Sequence, residues 1–372
     1  MILPGHNIAR DEIEISVFGP GYGECILIGV GGRHWICIDS CKENTRARPM
    51  PIEYLSAIGV DVANDLKTLI ATHWHDDHIL GLAEILGLAK RANFFCPVGM
   101  NEKVMRELVC AYNGDRQYSA RPGTSEISKT FRYLSDNDIV PKLIGEATVL
   151  LRSDDILGDG TSIELMALSP SSHAVAQCIL AIGKYLQTTE GPIRALPAPK
   201  ENILSSAICL SIDKYRVLFG ADLEYKNDPQ IGWMAVCDIT HVDVGRSSIY
   251  KVSHHGAASG DGPRIWTELL NTDPICVVTP WRLGGNILPT EQDVDRLRMN
   301  SSRVYLSSHP WVGKNKYDSA TNKTLRDFDK QVEPYLPPAG HIRMRTRLHS
   351  PTGIVNTGWT IEMSTESELV GA

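Results

Sequence analysis

One short run, His73-Trp74-His75-Asp76-Asp77-His78, constrains this chain more than any other feature. Its pattern, His-x-His-x-Asp-His, supplies three imidazoles and a carboxylate, which are ligands that suit Zn²⁺, Mn²⁺ or Fe. In a tight loop, alternate side chains let His73 and His75 bind one ion. Asp77 and His78 then turn toward a second ion a few ångströms away. The spacing therefore predicts a site for two divalent metal ions, with Zn²⁺ favoured and Mn²⁺ or Fe as alternatives.

The sequence around this run is typical of an α/β protein. Residues 66–72 form a short apolar segment that predicts a buried strand, and residues 80–92 have the periodicity of a helix. An α/β fold places its chemistry at the carboxyl end of a strand, which is where the histidine run lies. Further strands are predicted at residues 12–18, 25–30, 34–38, 148–151, 162–168, 208–212, 217–219, 249–252 and 276–279, and further helices at residues 101–112 and 292–299.

Predicted strands and helices alternate without a linker, so we expect a single domain over residues 1–372. Residues 101–145 and 174–201 are interpreted as insertions, and residues 309–372 as a C-terminal extension. The first insertion is rich in Gly, Ser, Arg and Tyr and is longer than a connecting loop needs to be. We expect it to form a cap at the entrance of the site.

His-x-His-x-Asp-His after a strand resembles the signature of the metallo-β-lactamase superfamily, and other segments match that superfamily in its order. An apolar strand ends at Asp39, a Gly-Ala-Asp turn ends at Asp222, and a His-His-Gly segment begins at His254. The resemblance covers roughly residues 12–308. It implies the α/β fold of this superfamily, an αββα sandwich of two mixed β-sheets with helices on the outer faces.

The resemblance also implies a role for each ligand. In the superfamily pattern, Asp39 braces the metal loop from behind, and Asp222 bridges the two ions. The first ion would be held by His73, His75 and His173, and the second by Asp77, His78 and His254. The expected catalytic residues are Asp77, Asp222 and His255.

Two of these assignments have alternatives. His173 follows a predicted strand at the place of the third ligand, but a loop histidine is the other interpretation. Of His254 and His255, only one need bind metal, because neighbouring side chains on a strand point to opposite faces. We favour His254 as the ligand. His255 would then face the substrate as an acid or phosphate donor, or brace the loop.

Finer features resemble the hydrolase domain of ComEC, the DNA-uptake membrane protein. They are the segments at residues 18–28, at Asn202-x-x-Ser205-Ser206 and at residues 289–305. The chain departs from that domain at Glu24, where an aspartate is usual, and at residues 287–289, where a His-Pro pair is expected. It also contains no run of about 20 apolar residues that would predict a membrane span. The chain therefore resembles a free-standing, soluble relative of that domain.

Metal-assisted hydrolysis is the expected reaction, and the resemblance to ComEC implies a phosphodiesterase or nuclease acting on DNA or RNA. The formal charge is −7, which argues against a protein that coats nucleic acid. A small phosphodiester, such as a cyclic nucleotide or a phosphocholine ester, is therefore the alternative substrate. A third hypothesis is a metal-bound regulatory or complex-forming subunit with an unknown protein partner. The full set of expected ligands argues against it.

A basic segment near the C-terminus is a candidate substrate contact. His341, Arg343, Arg345, Arg347 and His349 alternate with less polar residues, so on a strand they would share one face. Arg343, Arg345 and Arg347 could then contact a phosphate backbone, since guanidinium groups match phosphate with two hydrogen bonds. A solvated outer face is the other interpretation of this pattern.

The remaining composition indicates the compartment. The nine cysteines are scattered without a Cys-x-x-Cys pair, and several lie in apolar runs, so we expect buried thiols in a reducing environment. The N-terminus has no charged segment followed by an apolar one, so no signal peptide is predicted. We therefore expect a cytoplasmic protein that does not bind membranes.

Overall fold

The computed structural model describes residues 2–19, 23–43, 47–98, 122–188, 202–283, 285–310, 339–348 and 358–371. Most of these residues belong to two large β-sheets. The strands of the first sheet are β1 (Glu12–Gly19), β2 (Cys25–Val30), β3 (His34–Ile38), β4 (Leu66–Ile70), β5 (Asn93–Pro97), β6 (Lys142–Ile144), β16 (Gly340–Arg347) and β17 (Thr360–Met363). Their order across the sheet is β17-β16-β1-β2-β3-β4-β5-β6.

The second sheet has the order β18-β15-β12-β11-β10-β9-β8-β7. Its strands are β7 (Thr148–Ser153), β8 (Ile163–Ala167), β9 (Ile208–Ile212), β10 (Tyr215–Phe219), β11 (Ser247–Lys251), β12 (Leu270–Val278), β15 (Val304–Leu306) and β18 (Glu368–Leu369). A separate hairpin joins β13 (Trp281–Leu283) to β14 (Asn286–Leu288).

Helices cover the outer faces of both sheets. They are α1 (Met50–Ala57), α2 (Val62–Asp65), α3 (Asp76–Ile79), α4 (Leu82–Leu88), α5 (Pro122–Asp136), α6 (Ser172–Thr188), α7 (Gly232–Cys237) and α8 (Glu291–Arg298), with short helical turns at His254–Gly256, Ala258–Gly260 and Ile265–Leu269. Among the described helices, none combines the length and the apolar character that a bilayer crossing requires.

Alternation of apolar side chains along each strand creates the layers. In β2, Ile26 and Ile28 point into the core between the two sheets, whereas Leu27 points outward to the helices. In the second sheet, Val277 joins the same central core, and Cys276 packs outward. Successive side chains of a strand point to opposite faces, so one sequence fills both a central and an outer layer. The structure is an αββα sandwich, which confirms the predicted fold class.

Parallel pairing in the middle of each sheet positions the site. Strands β3, β4, β5 and β6 run parallel to one another, as do β10, β11, β12 and β15. Parallel strands end at the same edge of a sheet, so the loops that follow β3, β4, β10, β11 and β12 lie side by side. The residues with metal-binding chemistry come from these loops.

The described part of residues 309–372 belongs to both sheets. Strand β16 pairs with β1 along its whole length, from Glu12 opposite Arg347 to Gly19 opposite Gly340, and β17 adds the next strand. Strand β18 pairs with β15 at the edge of the second sheet. This part of the chain therefore completes the sandwich, where the sequence suggested an extension.

The segments interpreted as insertions are described only in part. In the first, the predicted helix at residues 101–112 lies outside the described residues. The segment then contributes α5, which packs beside α3 and α4, and ends in β6 of the first sheet. In the second, residues 172–188 form α6, which the sequence reading missed. The cap at the site entrance stays a prediction, but α5 does lie next to the metal loop.

Candidate metal centre

The histidine run folds as a loop and one short helix. Residues 71–75 leave β4 in an extended path, and α3 begins at Asp76, so Asp77 and His78 lie in its first turn. Two backbone hydrogen bonds fix this turn from below: Glu24 donates to the carbonyl of Asp77 at 2.9 Å, and Ser40 donates to the carbonyl of His78 at 2.8 Å. The loop is thus held by the start of β2 and the end of β3.

Gly23 permits the first of these contacts. Its backbone has φ +110°, a conformation that residues other than glycine rarely adopt. A Cβ atom at this position would lie 2.9 Å from the carbonyl oxygen of Asp77. Only glycine therefore lets the backbone approach the metal loop so closely.

His78 is fully buried and oriented by Asp39. Its Nδ1 donates a hydrogen bond to Oδ2 of Asp39 over 2.7 Å, and its Nε2 lies 3.3 Å from Oδ1 of Asp222. Asp39 also accepts hydrogen bonds from the backbone amide and the hydroxyl of Thr72, each at 2.7 Å. Asp39 therefore links the imidazole to the strand end that precedes the metal loop.

His255 reaches the same place from β11. Its Nδ1 donates to the carbonyl oxygen of Thr279 at 2.9 Å, which directs Nε2 into the site. There Nε2 lies 3.1 Å from Oδ2 of Asp77 and 3.6 Å from Oδ1 of Asp222. The ligand atoms of His78, His255 and Asp222 thus cluster, and Asp77 contacts this cluster through His255. We name these four residues the inner group.

His73, His75 and Asp222 form a second group, the outer group, whose ligand atoms all lie within 4.8 Å of one another. Nε2 of His73 lies 3.6 Å from Oδ2 of Asp222. Nδ1 of His73 lies 3.0 Å from the hydroxyl oxygen of Thr72, which already donates its proton to Asp39 and so accepts here. His75 is half-buried, which leaves this group open to solvent on one side.

Asp222 joins the two groups. Its Oδ1 faces the inner group and its Oδ2 faces the outer group. Within the described part of the chain, three buried atoms here have no hydrogen-bond partner: Nε2 of His73, Nε2 of His78 and Oδ1 of Asp222. Buried polar atoms are normally paired, because an unpaired one costs about 1–3 kcal/mol. Three such atoms, two from the loop after β4 and one from the turn after β10, fit two bridged cations.

The charges support the same interpretation. Four carboxylates are buried here, those of Glu24, Asp39, Asp77 and Asp222, and Lys251 is the buried ammonium group beside them. Burial acts to lower the pKa of His78, but the carboxylates of Asp222 and Asp39 raise that pKa well above its ordinary value. The site therefore attracts cations strongly, and protons take that role when no metal competes.

Lys251 and Glu24 form a buried ion pair behind the inner group. Nζ of Lys251 lies 2.6 Å from Oε2 of Glu24, and both side chains are 1% exposed. Thr279 also donates its hydroxyl proton to Glu24. Although Glu24 lies close enough to His78, His255 and Asp222 to share an ion, these contacts already occupy it. We therefore assign Glu24 to the support of the site.

Two residues expected as ligands lie outside both groups. His173 is in the first turn of α6, where its Nε2 contacts the side chain of Gln177 at 2.9 Å. His254 contacts Ser259 through Nδ1 at 2.8 Å and Asn202 through Nε2 at 3.3 Å. The geometry thus places His255 at the inner group, where the sequence favoured His254. The physical reason is that the chain leaves β11 as a tight left-handed turn, with φ +49° at His254 and +53° at His255, and strand alternation no longer applies.

The basic strand is present as β16, but its arginines have partners within the chain. Arg343 is buried, and each of the three guanidinium groups contacts a glutamate. The partners are Glu362 for Arg343, Glu14 for Arg345 and Glu12 for Arg347. The predicted phosphate-backbone contact stays a prediction, and it would have to break these ion pairs. His349 lies outside the described residues.

Asn202 lies at the metal centre, although its sequence motif did not indicate a role for it. Nδ2 of Asn202 lies 3.4 Å from Oδ2 of Asp222 and 3.3 Å from Nε2 of His254. The hydroxyl oxygen of Ser205, in the same motif, lies 3.4 Å from Nδ1 of His73. The spacing Asn202-x-x-Ser205 was the available signal for these contacts.

Residues 18–233 match the family model described as the metallo-beta-lactamase superfamily, which is more than half of the chain. The protein therefore belongs to the metallo-β-lactamase superfamily, as the sequence resemblance indicated. The fold of this superfamily and the two bridged groups of ligands define a hydrolase fold with a potential site for two metal ions. The resemblance to the ComEC branch stays a prediction.

Several solved structures are similar to this chain at low identity. The metallo-β-lactamase fold protein YhfI from Bacillus subtilis is 11% identical, with a TM-score of 0.39, and the match covers 81% of this chain and 98% of that one. MEM-A1, a subclass B3 metallo-β-lactamase from a soil metagenome library, is 14% identical, with a TM-score of 0.35, covering 68% and 80%. The hydrolase AbOPH is 14% identical, with a TM-score of 0.34, covering 60% and 75%.

Proposed function

We propose that this protein is a metal-dependent hydrolase that cleaves phosphodiester bonds in DNA or RNA, with two divalent ions bridged by Asp222. One observation carries the hydrolase part of the proposal. The two carboxylate oxygens of Asp222 face two different sets of histidines, with Nε2 of His73 at 3.6 Å on one side and Nε2 of His78 at 3.3 Å on the other. This is the donor arrangement that a two-ion site requires.

The histidines are prepared for metal binding by their hydrogen bonds. Nδ1 of His78 donates to Asp39, and Nδ1 of His255 donates to the carbonyl of Thr279. Each bond keeps a proton on Nδ1, so Nε2 is the nitrogen that becomes available to a metal ion once its own proton is displaced, and each Nε2 points at Asp222. His75 also remains neutral, because burial and the neighbouring His73 lower its pKa to about 4.

When bound, two divalent ions lower the pKa of a coordinated water and stabilise charge on the substrate oxygens. The residues of the chain supply the rest. Asp77 and His255 lie on the same side of Asp222, so they hold the inner position and keep it dry, since all three are buried. His75 is half-buried and marks the side from which substrate and water enter. Asp77, Asp222 and His255 are thus proposed to hold the reacting groups in place.

The proposed substrate, DNA or RNA, rests on the sequence resemblance to the ComEC hydrolase domain. A small phosphodiester is the second candidate, and one observation favours it. The arginines of β16 are engaged by glutamates of the same sheet, so this strand offers little unpaired positive charge to a long polymer. The net charge of −7 points the same way.

The test is a substrate panel on protein purified without chelator, with metal content measured on the same sample. The panel contains bis(p-nitrophenyl) phosphate, single- and double-stranded DNA, RNA, a cyclic nucleotide and glycerophosphocholine. We expect about two ions per chain and hydrolysis of at least one diester. Asp222→Asn and Asp77→Ala should lower turnover by at least about a hundredfold, because the ions lose their shared or inner ligand.

Asp154→Asn is the matched control, since Asp154 is an exposed aspartate beyond the end of β7. It should keep wild-type turnover and metal content. Wild-type rates in the Asp222 and Asp77 variants would contradict the proposed mechanism. Turnover of the cyclic nucleotide or the phosphocholine ester without any cleavage of DNA or RNA would favour the small-substrate candidate.

A further inference from the structure

The two groups of ligands are unequal in the described part of the chain. The inner group has four protein side chains, His78, His255, Asp77 and Asp222, all of them buried. The outer group has only His73, His75 and the shared carboxylate of Asp222. His173, which would have given the outer group a fourth ligand, contacts Gln177 on α6 instead. Among the described residues, the outer position therefore has one donor fewer than the inner position.

Asn202 lies where that donor is needed. Its amide nitrogen is 3.4 Å from Oδ2 of Asp222, the same oxygen that faces Nε2 of His73 at 3.6 Å. The side chain is 9% exposed, so its carboxamide is directed into the protein and not toward bulk water. A carboxamide so close to the outer carboxylate oxygen can reach an ion bound to it.

The orientation of this carboxamide depends on what it faces. Oδ2 of Asp222 can only accept hydrogen bonds when ionised, so in the ion-free protein the NH₂ group of Asn202 faces it. A cation at the outer group reverses the requirement, since it attracts an oxygen and repels an NH₂ group. Rotation about the last side-chain bond exchanges the two atoms with little change of shape.

His254 can stabilise either orientation of the Asn202 carboxamide while remaining neutral. When the NH₂ group of Asn202 faces His254, Nε2 of His254 accepts a hydrogen bond from it, and Nδ1 donates to the hydroxyl of Ser259 at 2.8 Å. When the amide oxygen of Asn202 faces His254, the other tautomer of His254 donates to that oxygen from Nε2 and accepts from the hydroxyl of Ser259 at Nδ1. Gly260 leaves room for this histidine, since a Cβ atom added at Gly260 would lie 2.9 Å from Cβ of His254.

We propose that Asn202 completes the outer metal position through its amide oxygen, and that His254 orients this oxygen from behind. The inference rests on the two-ion site of the proposed function and adds a donor to it. Amide and carboxylate oxygens are donors that suit Mn²⁺ and Mg²⁺. The outer position should therefore be the weaker and more exchangeable one, and it should prefer Mn²⁺ more than the inner position does.

The experiment titrates metal-free protein with Mn²⁺, followed by electron paramagnetic resonance, and with Zn²⁺, followed by calorimetry. Wild-type protein should bind two Mn²⁺ with different affinities. In Asn202→Ala, the weaker Mn²⁺ affinity should fall by at least about tenfold, while the tighter one stays unchanged. Asn202→His replaces the amide oxygen by an imidazole nitrogen, so Zn²⁺ should bind the weaker site more tightly than in wild type.

Asn64→Ala is the control, because it removes an exposed carboxamide at the opposite end of β4, where Nδ2 of Asn64 donates to Asp61. Circular dichroism of each variant verifies the fold. Equal weaker-site affinities in wild type and Asn202→Ala, with two ions bound in both, would overturn the role of Asn202 but leave the proposed function intact. Wild-type protein that binds neither metal would refute the proposed function itself.

Discussion

Oδ2 of Asp39 accepts a hydrogen bond from Nδ1 of His78 over 2.7 Å, and both side chains are almost completely buried. The same carboxylate accepts two hydrogen bonds from Thr72, at the end of β4. One aspartate therefore fixes both the tautomer of an inner-group histidine and the path of the loop that carries it. Its contribution to metal binding is indirect but should be large.

We expect Asp39→Ala to weaken metal binding by about 10- to 100-fold, since a ligand that loses its orienting partner binds less well. Asp39→Asn should have a smaller effect, because its amide oxygen can still accept from His78. Calorimetric titration of the metal-free variants measures both. Asp154→Ala serves as the surface control. An Asp39→Ala protein with wild-type affinity would show that Asp39 does not orient His78.

The buried pair of Glu24 and Lys251 predicts a strong non-additive effect on stability. Lys251→Met should reduce the free energy of unfolding by about 3–5 kcal/mol, because it leaves the carboxylate of Glu24 buried beside three others. Adding Glu24→Gln should recover part of that loss, since the second change removes the unpaired charge. Urea unfolding of both single variants and the double variant measures the coupling.

Arg303→Met is the matched control, because Arg303 and Asp273 form an ion pair at 3.4 Å in which both side chains are exposed. It should cost no more than about 1 kcal/mol. If Lys251→Met is as mild as Arg303→Met, the buried pair does not stabilise the fold in the way its geometry implies.

Metal binding should release protons. Burial lowers the pKa of His255, but Asp222 and the hydrogen bond to Asp77 raise it above its ordinary value, and His78 is raised in the same manner. Both imidazoles thus hold protons near neutral pH until a cation displaces them. The apparent metal affinity should therefore fall as the pH falls. Calorimetry in two buffers of different ionisation enthalpy measures the protons released, and a value of zero would contradict the interpretation.

His341 predicts a pH dependence of stability away from the metal centre. It is buried on β16, with Nδ1 accepting from the amide of Leu3 and Nε2 facing the hydroxyl of Ser16 at 3.0 Å. Burial, and then the neighbouring Arg343, hold its pKa well below the ordinary value of 6.5. The unfolded chain therefore binds a proton near pH 6.5 that the folded chain does not bind.

The contribution of His341 to stability should accordingly fall as the pH falls below 6.5, because the unfolded state gains this proton first. For this one group, the loss is about 1 kcal/mol between pH 6.5 and 5.5. His341→Gln keeps a polar side chain but cannot titrate, so its free energy of unfolding should depend less on pH. Urea unfolding at both pH values, in wild type and variant, measures the difference. Identical pH profiles would exclude His341 as the source.

Much of the fold was predictable because alternation along strands is a local signal. The strand predicted at residues 208–212 coincides with β9, and the helix predicted at residues 292–299 is shifted by one residue in α8. The helix predicted at residues 80–92 is shorter: it begins at Leu82, after the left-handed Gly81 with φ +96°, and it ends at Leu88. The role of β16 was not predictable, because its partner β1 lies more than 300 residues away.

The site divides in a similar way. The histidine run is contiguous, so its spacing alone indicated two metal positions. The choice between His254 and His255 depends on a left-handed turn, which no periodicity reveals. The contact between Asn202 and Asp222 joins two loops of the second sheet, so no local sequence pattern predicts it. Local patterns thus predicted the ligands on one loop, and the fold was needed for the rest.

The pairing of β1 with β16 has a consequence for how this protein is made. On the ribosome, residues 12–19 emerge long before residues 340–347, so β1 must wait with one edge of its backbone unpaired. Exposed strand edges pair readily with other chains. A product that stops before residue 340 would keep that edge of β1 unpaired. Glu14 would also lack the ion pair that it forms with Arg345 in the folded protein. Incomplete synthesis should therefore yield aggregates and not a smaller working enzyme.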